Sequence, residues 1–145
     1  MSRSPMAKFS RDPADWLRKL SPDEWIRAAS AEVERAASAF AHGNASAGSV
    51  GIKRAAGMAL NAALIVEPDE SWGRTYREHL VALARADRVP EAIREACRVV
   101  LAARAPHGDV VILRTPGANE AVLEAARDVI AHAWAVVKRH EPTDG

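Results

Sequence analysis

The chain of 145 residues has little cysteine, few aromatic side chains and almost no excess charge of either sign. Its single cysteine, Cys97, excludes an internal disulfide and any metal site built from several cysteines. The 20 basic and 19 acidic side chains leave a net charge of +1. The molecule as a whole therefore has no strong field that attracts nucleic acid, and a contact with RNA must depend on a local patch.

The sequence also shows none of the segments that direct a chain to a membrane. We find no run of about 18 apolar residues, which a membrane-spanning helix needs, and residues 1–11 are polar and basic, unlike a secretory signal. These absences predict a cytoplasmic protein with no membrane contact. We expect no metal and no cofactor either, because no histidines are spaced from a Cys or Glu as metal ligands would be. Four of the five histidines are expected at the surface: His42, His79, His107 and His140.

Apolar residues recur at three- and four-residue steps along most of the chain, which is the pattern of amphipathic helices. Ser21, followed by Pro22 and Glu24, predicts a capping box at the start of the first long helix. Residues 45–65 are apolar nearly all round and predict the most buried helix. The predicted class is all-α, an up-and-down antiparallel helical bundle of four to five main helices plus a short N-terminal helix.

Three further helices complete the predicted bundle. A third contains Trp72 and ends before Pro90, a fourth spans about 90–104, and the last runs from about Asn119 to His140. Residues 1–20 are expected to form an N-terminal extension with a short helix, and residues 21–141 the bundle.

Residues 105–118 form a predicted loop that contains the apolar run 110–113. A loop this long is usually functional. A lid over the end of the bundle and a contact with a second subunit both remain open.

The last predicted helix contains Arg127, Asp128 and His132. Arginine suits a phosphate because its planar fork has a permanent charge, and histidine moves protons near neutral pH. Asp128 and His132 lie one turn apart, so we expect Asp128 to accept a hydrogen bond from His132 and to raise its pKa. Arg127 and His132 lie about 140° apart on the helix. A solvated helix face would also explain these residues without any chemistry.

This spacing resembles the Arg-x4-6-His motif of the HEPN superfamily, small helical bundles that include RNA-cutting toxins. Ala131 and Ala135 lie in the middle of the polar arc of the last helix, where such small side chains suggest that another helix approaches, although alanine is also simply a good helix former. The resemblance implies a homodimer across this face that unites two Arg127–His132 sets in one cleft. It further implies that Arg127 orients the phosphate and that His132 is the general acid or base for attack by the RNA 2′-hydroxyl. Asp128 would orient His132, and no metal would be required.

Three functions follow from these observations. The first is a metal-independent endoribonuclease of toxin or defence type, and the second is a non-catalytic HEPN-like module that binds a nucleotide or a protein. The third is a purely structural bundle. The intact Arg-Asp-x3-His favours the enzyme, whereas the near-neutral charge favours the binding module. The expected partners are a second copy of the chain, a minimal nucleotidyltransferase or antitoxin, and RNA.

Overall fold

The computed structural model describes residues 9–103 and 117–141, so the apolar run 110–113 lies outside the described residues. Within those two ranges the chain forms five α-helices and a short 3₁₀ turn, with no strand. The predicted all-α helical bundle is confirmed. The elements are α1 (Pro22–Ala41), α2 (Ala45–Val66), the 3₁₀ turn (Glu70–Trp72), α3 (Tyr76–Ala84), α4 (Glu91–Ala102) and α5 (Ala118–Arg139).

Two capping boxes determine where helices begin. The Ser21 hydroxyl accepts a hydrogen bond from the Glu24 N–H, and the Glu24 carboxylate accepts one from the Ser21 N–H, as predicted. Thr75 and Glu78 form the same box at the start of α3. The third helix therefore begins at Tyr76, later than predicted. Trp72 belongs to the preceding 3₁₀ turn.

Helix α2 lies at the centre of the bundle, packed against α1, α3, α4 and α5. Thirteen of its 22 residues are buried, against eight of 22 in α5, which confirms that it is the most buried helix. By length and hydropathy alone α2 is apolar enough to cross a membrane, contrary to the expectation that no segment is. However, 67% of that window is buried inside the bundle, which is the burial of a core helix.

Small residues on α2 allow its neighbours to approach closely. A Cβ atom placed on Gly57 would overlap the Cβ and ring of Tyr76 on α3. Because the overlap begins at the Tyr76 Cβ, which is tied to its backbone, rotation of the ring does not relieve it. Glycine at this position therefore sets the distance between α2 and α3.

The segment from Asp12 to Leu20 forms turns in place of the predicted short helix. The carboxylates of Asp12 and Asp15 accept hydrogen bonds from N–H groups two residues ahead, a local arrangement that competes with helix formation. The segment is nevertheless held on the bundle, since the Trp25 indole N–H donates to the Leu17 carbonyl at 2.8 Å.

Candidate functional site

Arg127 lies on the side of α5 that faces α1. Its Nη2 is 3.4 Å from Oε1 of Glu34, and both side chains are substantially exposed. With Ile26, Ile130 and Trp134, it lines a cavity of about 610 Å³, here called the α1–α5 groove. The guanidinium thus forms one solvated ion pair beside a largely apolar floor.

His132 lies on the other side of α5, in an open cleft of about 1560 Å³, here called the His132 cleft. The walls of this cleft come from the end of α2, the 3₁₀ turn, α3, the connection at residues 85–90 and the C-terminal half of α5. A single chain therefore places Arg127 and His132 in two separate cavities. This agrees with their predicted separation of about 140° around the helix.

Asp128 is exposed on α5 and, in the described part of the chain, forms no hydrogen bond or ion pair. The surroundings of His132 lower its pKa below 6.5 instead of raising it. Burial of the imidazole is the main cause, Arg139 adds to the effect and Glu67 opposes it. The expected hydrogen bond from His132 to Asp128, and the raised pKa, are therefore wrong for a single chain. The reason is that Asp128 is solvated while His132 is half-buried.

Among the described residues, four arginines line the His132 cleft: Arg77, Arg85, Arg88 and Arg139. Arg139 forms an ion pair with Glu67 at 3.1 Å. The other three form no ion pair with any residue that the structure describes. Their guanidinium groups therefore have donors available for an anion that enters the cleft.

Four carboxylates line the same cleft: Glu67, Asp69, Glu78 and Asp87. Three of them already have hydrogen-bond donors within the protein. Glu67 accepts bonds from Arg139 and His140, Asp69 from Ser71, and Glu78 from Thr75. The hydrogen bonds to Ser71 and Thr75 hold the pKa values of the Asp69 and Glu78 carboxyls below their usual range. The formal charges of the lining balance, yet more arginines than carboxylates lack a partner.

His79 is fully buried, so the expectation that it lies at the surface is wrong. Its Nδ1 is 2.8 Å from the Trp72 carbonyl oxygen, and its Nε2 is 2.8 Å from the atom placed as Oδ1 of Asn61. Burial lowers the His79 pKa, so the imidazole is neutral and has a single N–H. That N–H is on Nδ1 and donates to Trp72, and Asn61 presents its NH₂ group to Nε2. This assignment exchanges the amide oxygen and nitrogen, which have the same shape.

The His79 hydrogen bonds join three walls of the His132 cleft, since Asn61 is on α2, Trp72 is in the 3₁₀ turn and His79 is on α3. The rings of Trp16, Trp72 and Tyr76 lie 5.9–6.5 Å from the imidazole. His79 is thus a positioning residue beneath the cleft. The sequence signal for this arrangement is Asn61, the single polar residue in the apolar second half of α2.

Cys97 is buried, and burial raises its pKa to about 12, so the thiol stays protonated and unreactive. Across residues 9–103 and 117–141, no three His, Cys, Asp or Glu side chains converge as metal ligands would. The unpaired arginines that line the His132 cleft are the strongest chemical feature of the described chain.

No family model matches this chain, and neither a curated protein nor a solved structure matches it. The resemblance to the HEPN superfamily therefore stays a prediction. It depends on Arg127, Asp128, His132 and the order of the helices.

Proposed function

We propose that this protein is a HEPN-like binding module that holds a phosphate-bearing ligand of nucleotide size in the His132 cleft. One observation supports the proposal above the others: Arg77, Arg85 and Arg88, which form no ion pair among the described residues, line an open cleft together with His132. Of the three, Arg88 lies near enough to the Asp69 carboxylate to add to the effect of hydrogen bonding, which lowers its pKa. Guanidinium groups bond phosphate oxygens in pairs. At about 1560 Å³ the cleft exceeds the roughly 300–1000 Å³ of typical small-molecule sites, so a nucleotide fits within it.

The balance of charge favours a small ligand over a long RNA strand. Proteins that hold nucleic-acid polymers use an extended excess of positive charge. Here the four lining arginines face four lining carboxylates, and the whole chain has a net charge of +1. Unpaired arginine N–H groups in one cleft, without an extended positive surface, suit a small ligand with one or a few phosphates.

The proposal is tested by titrating ATP and GTP into the protein in a calorimeter. Replacing Arg85 with alanine removes a charge-assisted hydrogen bond worth about 1.5–3 kcal/mol. We therefore expect roughly 10- to 150-fold weaker binding. The control is Arg98→Ala, since Arg98 is exposed on α4, paired with Glu91 and Glu95, and outside the cleft. Equal affinity for wild type and Arg85→Ala, or no binding of either nucleotide, would refute the proposal.

A second candidate, a metal-independent endoribonuclease, is favoured by a different observation. Asp128, Ala131 and Ala135 are all exposed on the stripe of α5 that separates Arg127 from His132. If two copies packed through this stripe, Arg127 of one copy would approach His132 of the other. Arg127 would then stabilise charge on the phosphate and His132 would transfer the proton, with Asp128 between them.

Sedimentation tests whether this stripe is a homodimer interface. Ala131→Glu places a charge at the centre of the stripe and should shift a dimer toward the monomer, because an unpaired charge at an interface is costly. Ala92→Glu, at an exposed alanine in the first turn of α4, is the matched control. A wild-type monomer at micromolar concentration would remove this second candidate.

A further inference from the structure

We propose that the His132 cleft takes a nucleotide through its terminal phosphate monoester, and that His132 takes up a proton as this phosphate binds. This inference rests on the proposed function and identifies both the chemical group that is bound and the condition that regulates its binding. It follows from the charges around His132 and from the number of unpaired donors in the cleft.

Within residues 9–103 and 117–141, His132 forms no hydrogen bond or ion pair with a carboxylate. The described charged groups that act on it are Arg139, on the same helix, and Glu67, at the end of α2. Glu67 is already engaged, because His140 Nε2 lies 2.6 Å and Arg139 Nη2 lies 3.1 Å from the same carboxylate oxygen. The other charged groups that line the cleft come from α3 and from the α3–α4 connection: Arg77, Glu78, Arg85, Asp87 and Arg88.

This environment keeps His132 neutral until an anion arrives. Partial burial and the positive charge of Arg139 both lower its pKa. A bound phosphate dianion supplies the missing opposite charge, which favours the imidazolium form. Whenever a ligand favours the protonated form of a group, protons favour the ligand by the same factor. Affinity should therefore rise as the pH falls from 8 toward about 6.5. Nearer pH 6 the phosphate itself gains a proton, which opposes this rise.

The number of donors explains why the bound group is a monoester. Arg77, Arg85, Arg88 and a protonated His132 offer hydrogen-bond donors from four side chains. A phosphate monoester presents three terminal oxygens and a charge of about −1.5 to −2 at pH 7. A phosphodiester presents two such oxygens and a single charge. The monoester can therefore satisfy more of these donors at once.

Calorimetry of wild-type protein with AMP, in two buffers of different ionisation enthalpy at pH 7, measures the protons taken up on binding. We expect net uptake with AMP, and binding that is at least tenfold weaker, without uptake, for 3′,5′-cyclic AMP, which has the same base and sugar but a diester. Inorganic phosphate should bind at least tenfold more weakly than AMP, because it lacks the nucleoside.

His132→Gln keeps a hydrogen-bonding side chain without the titration. This variant should lose the uptake due to the histidine, bind AMP about tenfold more weakly at pH 6, and show a flatter pH profile. His42→Gln is the control, since His42 is exposed at the end of α1 and lies outside the cleft.

Each outcome separates the two proposals. Equal proton uptake by wild type and His132→Gln would overturn the role of His132, while the cleft would stand as a phosphate site. Equal affinity for AMP and cyclic AMP would overturn the choice of a monoester. Equal affinity for AMP and inorganic phosphate would overturn the choice of a nucleotide. If the wild-type protein binds none of these compounds, the proposed function itself fails.

Discussion

The two sides of α5 offer different chemistry although they belong to one helix. The α1–α5 groove is smaller, and beside its apolar side chains it contains Asp23, Arg27 and the exposed ion pair between Arg127 and Glu34. The His132 cleft is more than twice as large and contains four arginines and four carboxylates. The difference shows that two residues close together in sequence can belong to separate surfaces. What each residue can do then depends on the elements that pack beside it.

The two sides of α5 would not be functionally separate if Arg127 and His132 served one reaction. In a composite dimer site, His132→Ala and Arg127→Ala should each slow RNA cleavage by roughly 10²–10⁴-fold, through loss of proton transfer or of charge stabilisation. Asp128→Asn should have a smaller effect, because Asp128 would only orient His132. The measurement is the cleavage of labelled RNA in EDTA.

The products distinguish this reaction from contamination by another nuclease. Attack by the RNA 2′-hydroxyl leaves a 2′,3′-cyclic phosphate or its hydrolysis product, and a DNA substrate should remain intact. Equal cleavage by wild type and both alanine variants would show that neither side of α5 is catalytic.

A change at Gly57 should disturb the His132 cleft more than the α1–α5 groove. Gly57→Ala forces a methyl group against Tyr76, which lies on α3 behind the His132 cleft. We expect a loss of about 1–3 kcal/mol in the free energy of unfolding, despite roughly 1 kcal/mol gained in helix propensity. Chemical denaturation measures the loss.

Val50→Ala is the control, because Val50 is 54% exposed on the same helix. Its effect should stay within about 0.5 kcal/mol. A Gly57→Ala protein as stable as wild type would show that α2 and α3 separate easily and that the cleft wall is not rigid.

Low pH should lower the stability of the protein through two histidines, His132 on the wall of the cleft and His79 beneath it. Burial lowers the pKa of both below 6.5, so the unfolded chain binds more protons than the folded one. Stability should therefore fall as the pH drops through about 6.5, and level off below the folded pKa values. The slope is at most about 1.4 kcal/mol per pH unit for each histidine.

Denaturation curves between pH 7.5 and 5 measure this slope for wild type, His79→Gln and His132→Gln. Each substitution should make the slope shallower, whereas His42→Gln should leave it unchanged. A wild-type stability that is constant across this range would contradict the assignment of both histidines as neutral.

The smallest expected effect belongs to the α1–α5 groove. Glu34→Gln breaks an ion pair in which Arg127 is 41% and Glu34 is 69% exposed. Such pairs contribute at most about 1 kcal/mol, and less in high salt. Stability should hardly change, and AMP affinity should not change. A tenfold change in AMP affinity would show that the two sides of α5 communicate.

Local signals predicted most of the helices. The unbroken apolar surface of residues 45–65 located α2 to within one residue of its end, and Ser21 with Glu24 located the start of α1. The predicted third helix begins too early, at or before Trp72. The Thr75–Glu78 capping box, which is also visible in the sequence, starts α3 at Tyr76. The carboxylates of Asp12 and Asp15 accept backbone hydrogen bonds that stabilise turns where a short N-terminal helix is predicted.

The candidate site was less predictable, because its parts come from separate elements. The helical wheel correctly separated Arg127 from His132, since both are on α5. It contains no information about Arg77, Arg85 or Arg88, which tertiary packing places on walls of the same cleft as His132. The burial of His79 likewise depends on Asn61, 18 residues away on another helix.

The order in which the bundle assembles follows from the position of α5 in the chain. Helices α1 and α2 are consecutive and form the most extensive contact of the fold, so we expect them to pair early through a short loop. Helix α5 joins the bundle from much further along the chain and covers part of α2. Because α5 contributes His132, the His132 cleft is complete only after this last docking step. Until then, a growing polypeptide exposes the apolar surface of α2, which is the stage at which a chaperone would have most to bind.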